Sequence, residues 1–267
     1  MKLLCIGDDY GFTKAVTLGM IDSIDYGFLR NIGIFINSNW AKIAIDLIKV
    51  RPQVCLGLDF NIVAGKPISN PKDIPHLVDD NGYFYRSTYY VNQGKYKTLE
   101  GRKELFPYEE VYIELRAQYD KFIDLVGKKP GYLNMHSITP ETYNQVIEEI
   151  HIESNVPRYE QVIEKYKIKE LYDFVGIRYS EKKEFDCKSQ LEKNMIPEVF
   201  KYSEEMLEEE FVCFVGHPGY VDAELVDNTT LSLERIRDAQ FFMSNDIIKW
   251  IEDNNIELIT FYDLIDL

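Results

Sequence analysis

The chain has 267 residues, 45% of them hydrophobic and 28% charged, with a formal net charge of −15. This is a globular composition, and the length suits one domain of barrel size. The negative charge excludes a nucleic-acid binder, which needs a basic surface for phosphates, and disfavours an anionic membrane. No segment approaches the roughly 18 apolar residues of a membrane span. Met1 to Ile6 is too short for a signal peptide and runs straight into Asp8 and Asp9, so a cytoplasmic protein is expected. Cys5, Cys55, Cys187 and Cys213 show no close pairing. Three of them sit in apolar runs and read as buried free thiols.

Short β-rich runs alternate with longer helical patterns, the signature of βα units and a parallel sheet. Leu3 to Gly7 reads as the first strand, followed by a helix from Lys14 to Tyr26 with Thr13 as N-cap. Asn31 to Asn37 is the second strand, Ala41 to Val50 a helix, and Val54 to Asp59 the third strand. Asn61 to Pro107 breaks the rhythm. This stretch carries Tyr83, Tyr85, Tyr89, Tyr90 and Tyr96 and reads as a long loop, functional or disordered. Leaving strand three beside Asp59, it is expected to cover the mouth of the barrel. A helix from Tyr108 to Val126, stopped by Gly127, precedes a fourth strand at Tyr132 to His136. A helix then starts near Glu141. Strands five, six and seven are expected at Phe174–Arg178, Phe211–Val215 and Ile256–Thr260, with one long amphipathic helix from Leu233 to Glu252. The fold class is α/β: a (β/α) barrel-like domain, distorted or incomplete, with about seven parallel strands. An open doubly wound sheet is the alternative. One domain spans residues 1–267, with the insertion at about 61–107.

Active sites of parallel α/β folds lie at the C-terminal ends of the strands. Strand one ends in Asp8-Asp9, strand three in Asp59, strand four in Asn134-Met135-His136, strand five in Arg178 and strand six in His217-Pro218-Gly219. Each has a plain structural reading. Asp8 or Asp9 alone suits a helix cap, His136 a satisfied core histidine, Asp59 and His217 turn positions, and Arg178 a structural ion pair. Gathered at one end of a sheet, however, the acidic groups would repel one another, and either their pKa values rise or they demand a compensating cation. Two carboxylates and an imidazole suit a divalent metal with positions left for water. Oxygen donors favour Mg or Mn, with Zn also admissible.

These residues carry a resemblance. Gly7-Asp8-Asp9-Tyr10-Gly11-Phe12 is similar to the opening Asp-Asp-aromatic-Gly motif of the YdjC-like carbohydrate deacetylases. Leu56 to Asn61 followed by Gly65-Lys66-Pro67 resembles that family's Gly-Leu-His stretch and downstream Gly-Lys-Pro. Leu77-Val78-Asp79 through Gly82-Tyr83-Phe84, Glu114-Leu115 with Gln118, Gly127 to Pro130, His217-Pro218-Gly219-Tyr220, and Arg237 with Gln240 complete an ordered set that runs from about Lys2 to the C-terminus.

The resemblance implies a metal-dependent hydrolase that removes an N-acetyl group from an amino sugar or oligosaccharide. It places Asp9, Asp59 and His136 on the metal, Asp8 as catalytic base and His217 as catalytic acid. Arg178 and Tyr10 fall to substrate binding. The implied partner is a small carbohydrate, with no nucleic acid and no membrane, and a homodimer is a possible assembly. The chain departs from the family at Asp59, where members carry a ligand histidine, and at Asn134, where they carry Asp. A rival expectation follows from those departures: a non-catalytic glycan-binding or regulatory homologue with a degenerate metal site.

Overall fold

Strand β1 (Lys2–Tyr10) is the spine of the fold in a computed structural model that describes residues 1–176 and 186–265. Its interior, Leu3 to Ile6, is wholly buried, as an apolar run covered on both faces should be. Around it stand β2 (Asn31–Ile34), β3 (Cys55–Phe60), β4 (Leu133–Met135), β5 (Lys169–Glu170), β6 (Phe211–Gly216) and β7 (Glu257–Ile259). The order is β4-β3-β2-β1-β6-β5, every pairing is parallel, and β7 pairs with β1. β6 lies along Lys2 to Gly7 of β1. The other edge of β1 is shared: β7 takes Lys2 to Leu4, and β2 begins at Ile6. Asn31, fully buried, seals that junction. Its side-chain amide donates to the carbonyls of Cys5 (3.1 Å) and Ile259 (3.2 Å), and its oxygen accepts the Phe261 N–H (3.0 Å). The result is a curled, open half-barrel of six parallel strands plus one more, ringed by helices, which matches the distorted barrel expected.

Local signals place most of the helices. Thr13 caps Lys14–Asp25 by accepting the Val16 N–H, and Gly127 ends Tyr108–Val126 in the left-handed conformation at φ 79°. Two expectations are corrected. Phe174 and Val175 are not strand: Leu171–Val175 is a helix, opened by reciprocal capping between Glu170 and Asp173 and closed by Gly176, so the fifth strand is only Lys169–Glu170. The helix expected over Leu233–Glu252 is two, Glu234–Phe242 and Asn245–Asp253. Ser244 breaks it by taking the N-cap position of the second.

The insertion is ordered by short elements, among them helices Ser87–Val91 and Leu99–Leu105. It is tied down by Glu114, whose carboxylate accepts the Ile68 and Ser69 N–H groups at 3.0 and 2.9 Å. Cys5, Cys55 and Cys213 are buried free thiols, as read from the sequence, and Cys187 is exposed. Among the described residues no helix is long and apolar enough to cross a membrane.

Candidate active site

The end of β1 is bulged. Its register with β2 shifts between Gly7 and Tyr10, and Asp9 takes a φ of 73°, rare for a residue with a side chain. Such strain costs on the order of 1–3 kcal/mol and persists only where the surroundings impose it. Here Asp59 imposes it. Its Oδ2 accepts the Asp9 N–H at 3.0 Å, with both residues buried. The Asp59 carboxyl lies flat against Gly33 of β2. A Cβ on Gly33 would stand 2.0 Å from Asp59 Oδ1, so only glycine leaves this space.

The bulge places the Asp9 carboxylate between His136 and Arg235. Its Oδ1 is 2.8 Å from His136 Nδ1, and its Oδ2 accepts from Arg235 Nη2 at 2.5 Å. Arg235 is 1% exposed, as is Asp9. Burial alone would raise the Asp9 pKa, but His136 and Arg235 outweigh it and hold the group well below the usual carboxylate range. His136 is itself oriented by its backbone N–H, which donates to Phe60 O at 2.9 Å, and by an edge-on contact with the Phe35 ring at 4.6 Å.

Asp8 faces the other way. It lines a cavity of about 220 Å³ with Asn134, Tyr159, Glu170, Tyr172 and His217. Asn134 Nδ2 donates to Asp8 Oδ1 at 3.2 Å. Burial, then the neighbouring charges of Asp59 and Asp9, push the Asp8 pKa well above its ordinary value. Burial likewise lifts Asp59 to about 7 and lowers His217 to about 4, so the resting His217 imidazole is neutral at neutral pH.

A buried charged layer supports this centre from Glu234–Phe242. Lys193 Nζ, 2% exposed, bridges Glu234 Oε1 (2.6 Å) and Asp238 Oδ1 (2.7 Å). Asp238 Oδ2 in turn accepts the His217 N–H at 2.8 Å. Breaking a buried pair strands its partners, at about 3–5 kcal/mol. Lys193→Met is therefore expected to lower Tm by roughly 10 °C for a chain of this size, read by thermal melting. A shift of only a degree or two would show that the cluster contributes little to stability.

The structure thus brings Asp8, Asp9, Asp59, His136 and His217 to one end of the sheet. Tyr10, expected at the substrate, is instead a core residue: it is fully buried and its hydroxyl donates to the Ala44 carbonyl at 2.8 Å. The bulge that turns Asp9 toward His136 and Arg235 sends the next side chain into the core. Arg178 lies outside the described residues. Of the motif residues Arg237 and Gln240, Arg237 bonds to Leu191 O and Gln240 at the surface, and it is Arg235 that reaches the centre. A signal existed. Arg235, Asp238, Ala239 and Phe242 share one helical face by their spacing, so two charges stand on an apolar stripe. Lys193 had no such signal.

Whether the centre suits a divalent cation turns on its donors. Asp9 Oδ1 and Asp59 Oδ1 are buried carboxylate oxygens that accept no hydrogen bond, and His136 Nδ1 stands beside the first of them. Spare oxygen lone pairs together with an imidazole fit such an ion in kind. Among the described residues, no three or more His, Cys, Asp or Glu side chains are already drawn into a metal-holding cluster. Asp59 reaches Asp9 through the backbone N–H rather than through a shared point.

Comparison with known proteins shows what the chain is similar to. The profile of the YdjC-like proteins matches residues 2–253. Carbohydrate deacetylase 2 of Listeria innocua is 28% identical over 269 residues, covering 99% of each chain. A carbohydrate deacetylase of Clostridium beijerinckii is 28% identical over 272 residues, covering 99% of this chain and 100% of that one. A crystal structure from Enterococcus faecalis V583, of a protein named for cellobiose-phosphate cleavage, superposes with a TM-score of 0.73 at 21% identity over 98% of both chains. That likeness shows a shared fold.

Proposed function

Because the chain belongs to the YdjC-like protein family, we propose that it is a hydrolase removing the N-acetyl group from an amino sugar or oligosaccharide. One observation carries the reading: Asp8 and His217 line one cavity beside the paired Asp9 and His136. The full-length relatives named carbohydrate deacetylase support it.

The reaction adds water across an amide, forming a C–O bond, breaking C–N, and leaving acetate and a free amine. Asp8, as carboxylate, takes a proton from the attacking water; its raised pKa makes it a stronger base once ionised. His217 starts neutral, so it delivers a proton to the departing amine only after receiving one, and Asp8 in the same cavity is the source. Asp238 accepts the backbone N–H of His217 and so holds the strand end that carries the imidazole. Arg235 and His136 keep Asp9 ionised. Asp9, Asp59 and His136 are the residues that would hold a divalent cation, Mg or Mn before Zn given the oxygen donors. Such an ion supplies Lewis acidity toward the acetamide carbonyl and toward water.

The test is acetate release from N-acetylglucosamine and its oligomers by chelator-stripped protein, with each cation restored in turn. Release restored by Mg or Mn is the expected result. Silence with every cation and glycan would leave the rival reading, a non-catalytic glycan binder, which Arg235 on the second oxygen of Asp9 favours.

A further inference from the structure

Tyr132, the residue before β4, is wholly buried, and its hydroxyl has no hydrogen-bond partner among the described residues. Its ring has a place only because Gly57 of β3 has no side chain. A Cβ on Gly57 would stand 2.5 Å from Tyr132 Cζ, the carbon that carries the hydroxyl. The ring also stacks on Phe261, with centroids 4.1 Å apart at 21°. A buried hydroxyl without a partner is costly and rare, and the hydrolytic reaction gives this one no part.

Gly57 is the registered partner of Gly33 on β2, and Gly33 is the residue over which the Asp59 carboxyl lies. The phenol and the carboxyl thus cover neighbouring glycines on one face of the sheet, roughly one strand spacing of ~4.8 Å apart. Asp59 Oδ1, the atom closest to the Cβ position of Gly33, also has no hydrogen bond. The charges of Asp59 and Asp8 reach the Tyr132 hydroxyl: burial first, then these two acids, push it well above the ordinary phenol range. One buried donor and one buried acceptor therefore stand close together, each without a partner. Their spacing is roughly that of two hydrogen bonds of about 2.8 Å meeting at one water.

We propose that Tyr132 is a positioning residue of the active centre, its hydroxyl tied to Asp59 Oδ1 through one buried water. Buried waters bond to otherwise unsatisfied buried polar groups, and both atoms here are of that kind. The tie matters because the other oxygen of Asp59 accepts the Asp9 N–H at 3.0 Å and so imposes the φ of 73° on Asp9. A carboxyl held at both oxygens cannot swing, and Asp9 stays turned to His136 and Arg235. Each carboxylate oxygen has a second lone pair, so the tie leaves Asp59 able to hold a cation. The tie needs neither cation nor substrate; only its effect on turnover rests on the deacetylase reading.

Tyr132→Phe keeps the ring over Gly57 and on Phe261 and removes only the hydroxyl. The first measurement is amide hydrogen exchange of chelator-stripped protein. Exchange at the Asp9 N–H is expected to quicken about tenfold, the hold of one hydrogen bond to a charged group. Exchange over Leu3 to Ile6 of β1, and Tm, should stay as in the wild type. In the acetate-release assay kcat should fall about tenfold with KM unchanged. Equal quickening along all of β1 with a lowered Tm makes Tyr132 a packing residue only and overturns the proposal, as does unchanged exchange at Asp9. The second measurement is a crystal structure of the unaltered protein, which stands even where the variant fails to fold. A water within about 2.5–3.2 Å of both Tyr132 Oη and Asp59 Oδ1 is expected, and two atoms that share none overturn the tie. Quickened exchange at Asp9, with no acetate released by either protein, keeps the role of Tyr132 and removes the hydrolase reading. Acetate release with exchange and kcat unmoved by the substitution does the reverse.

Discussion

Asp8→Asn is expected to reduce acetate release about 10²–10⁴-fold, the range a positioned general base contributes, with circular dichroism unchanged and Tm no lower. The substitution keeps shape and an oxygen able to accept from Asn134 Nδ2. It removes one of three crowded, mutually repelling carboxylates, so neutralising it relieves the fold rather than weakening it. Since burial and the neighbouring Asp59 and Asp9 raise the Asp8 pKa, the wild-type rate should climb with pH as the group ionises, and the variant should lose that climb. A variant retaining more than a tenth of wild-type turnover would remove Asp8 from the mechanism and pass the base role to His217.

The second large effect is expected at Asp59. A carboxylate ligand adds negative charge where an imidazole adds none, so it holds a hard cation well but reduces its acidity toward water. Asp59→His should therefore shift cation preference from Mg or Mn toward Zn and raise acetate release by about tenfold. An imidazole nitrogen can replace Oδ2 as acceptor for the Asp9 N–H, while the larger ring has to push outward from the space over Gly33 that the carboxyl already fills. The assay is acetate release with each cation added to stripped protein. A fast wild type and a dead Asp59→His variant would instead identify Asp59 as an adapted ligand, required as a carboxylate to hold the Asp9 bulge.

The tertiary structure reassigns residues in ways that bear on these tests. Arg235, not Arg237, meets Asp9, so charge-removal experiments belong at Arg235. Tyr10 is no candidate for substrate contact, because its hydroxyl is spent on Ala44. Of the insertion, Ala64, Gly65, Lys66 and Tyr83 line a cavity beside Phe12 and Phe35. Farther along, Arg102 pairs with Glu141, which fastens the insertion to the helix Glu141–Ser154.

Where six of the seven strands fall along the chain, and which acids and histidines stand at their ends, were legible in the sequence, because both follow from local rules. Apolar runs of strand length, the cap at Thr13 and the stop at Gly127 act over a few residues and override little. Short-range competition already strained these rules at Phe174 and Ser244, where capping beat a plausible longer element. What only the folded chain decided depends on distance. The pairing of Asp9 with Arg235 joins residues 226 apart, and the Lys193–Asp238–His217 layer joins three segments. Such contacts form because charges buried together must find partners, and which partner each finds is set by how helices pack on the sheet. The raised Asp8, the Asp59 carboxyl at about 7 and the neutral His217 follow from burial and crowding at the curled end of β1, and these are properties of the assembled sheet rather than of any residue's neighbours in the chain.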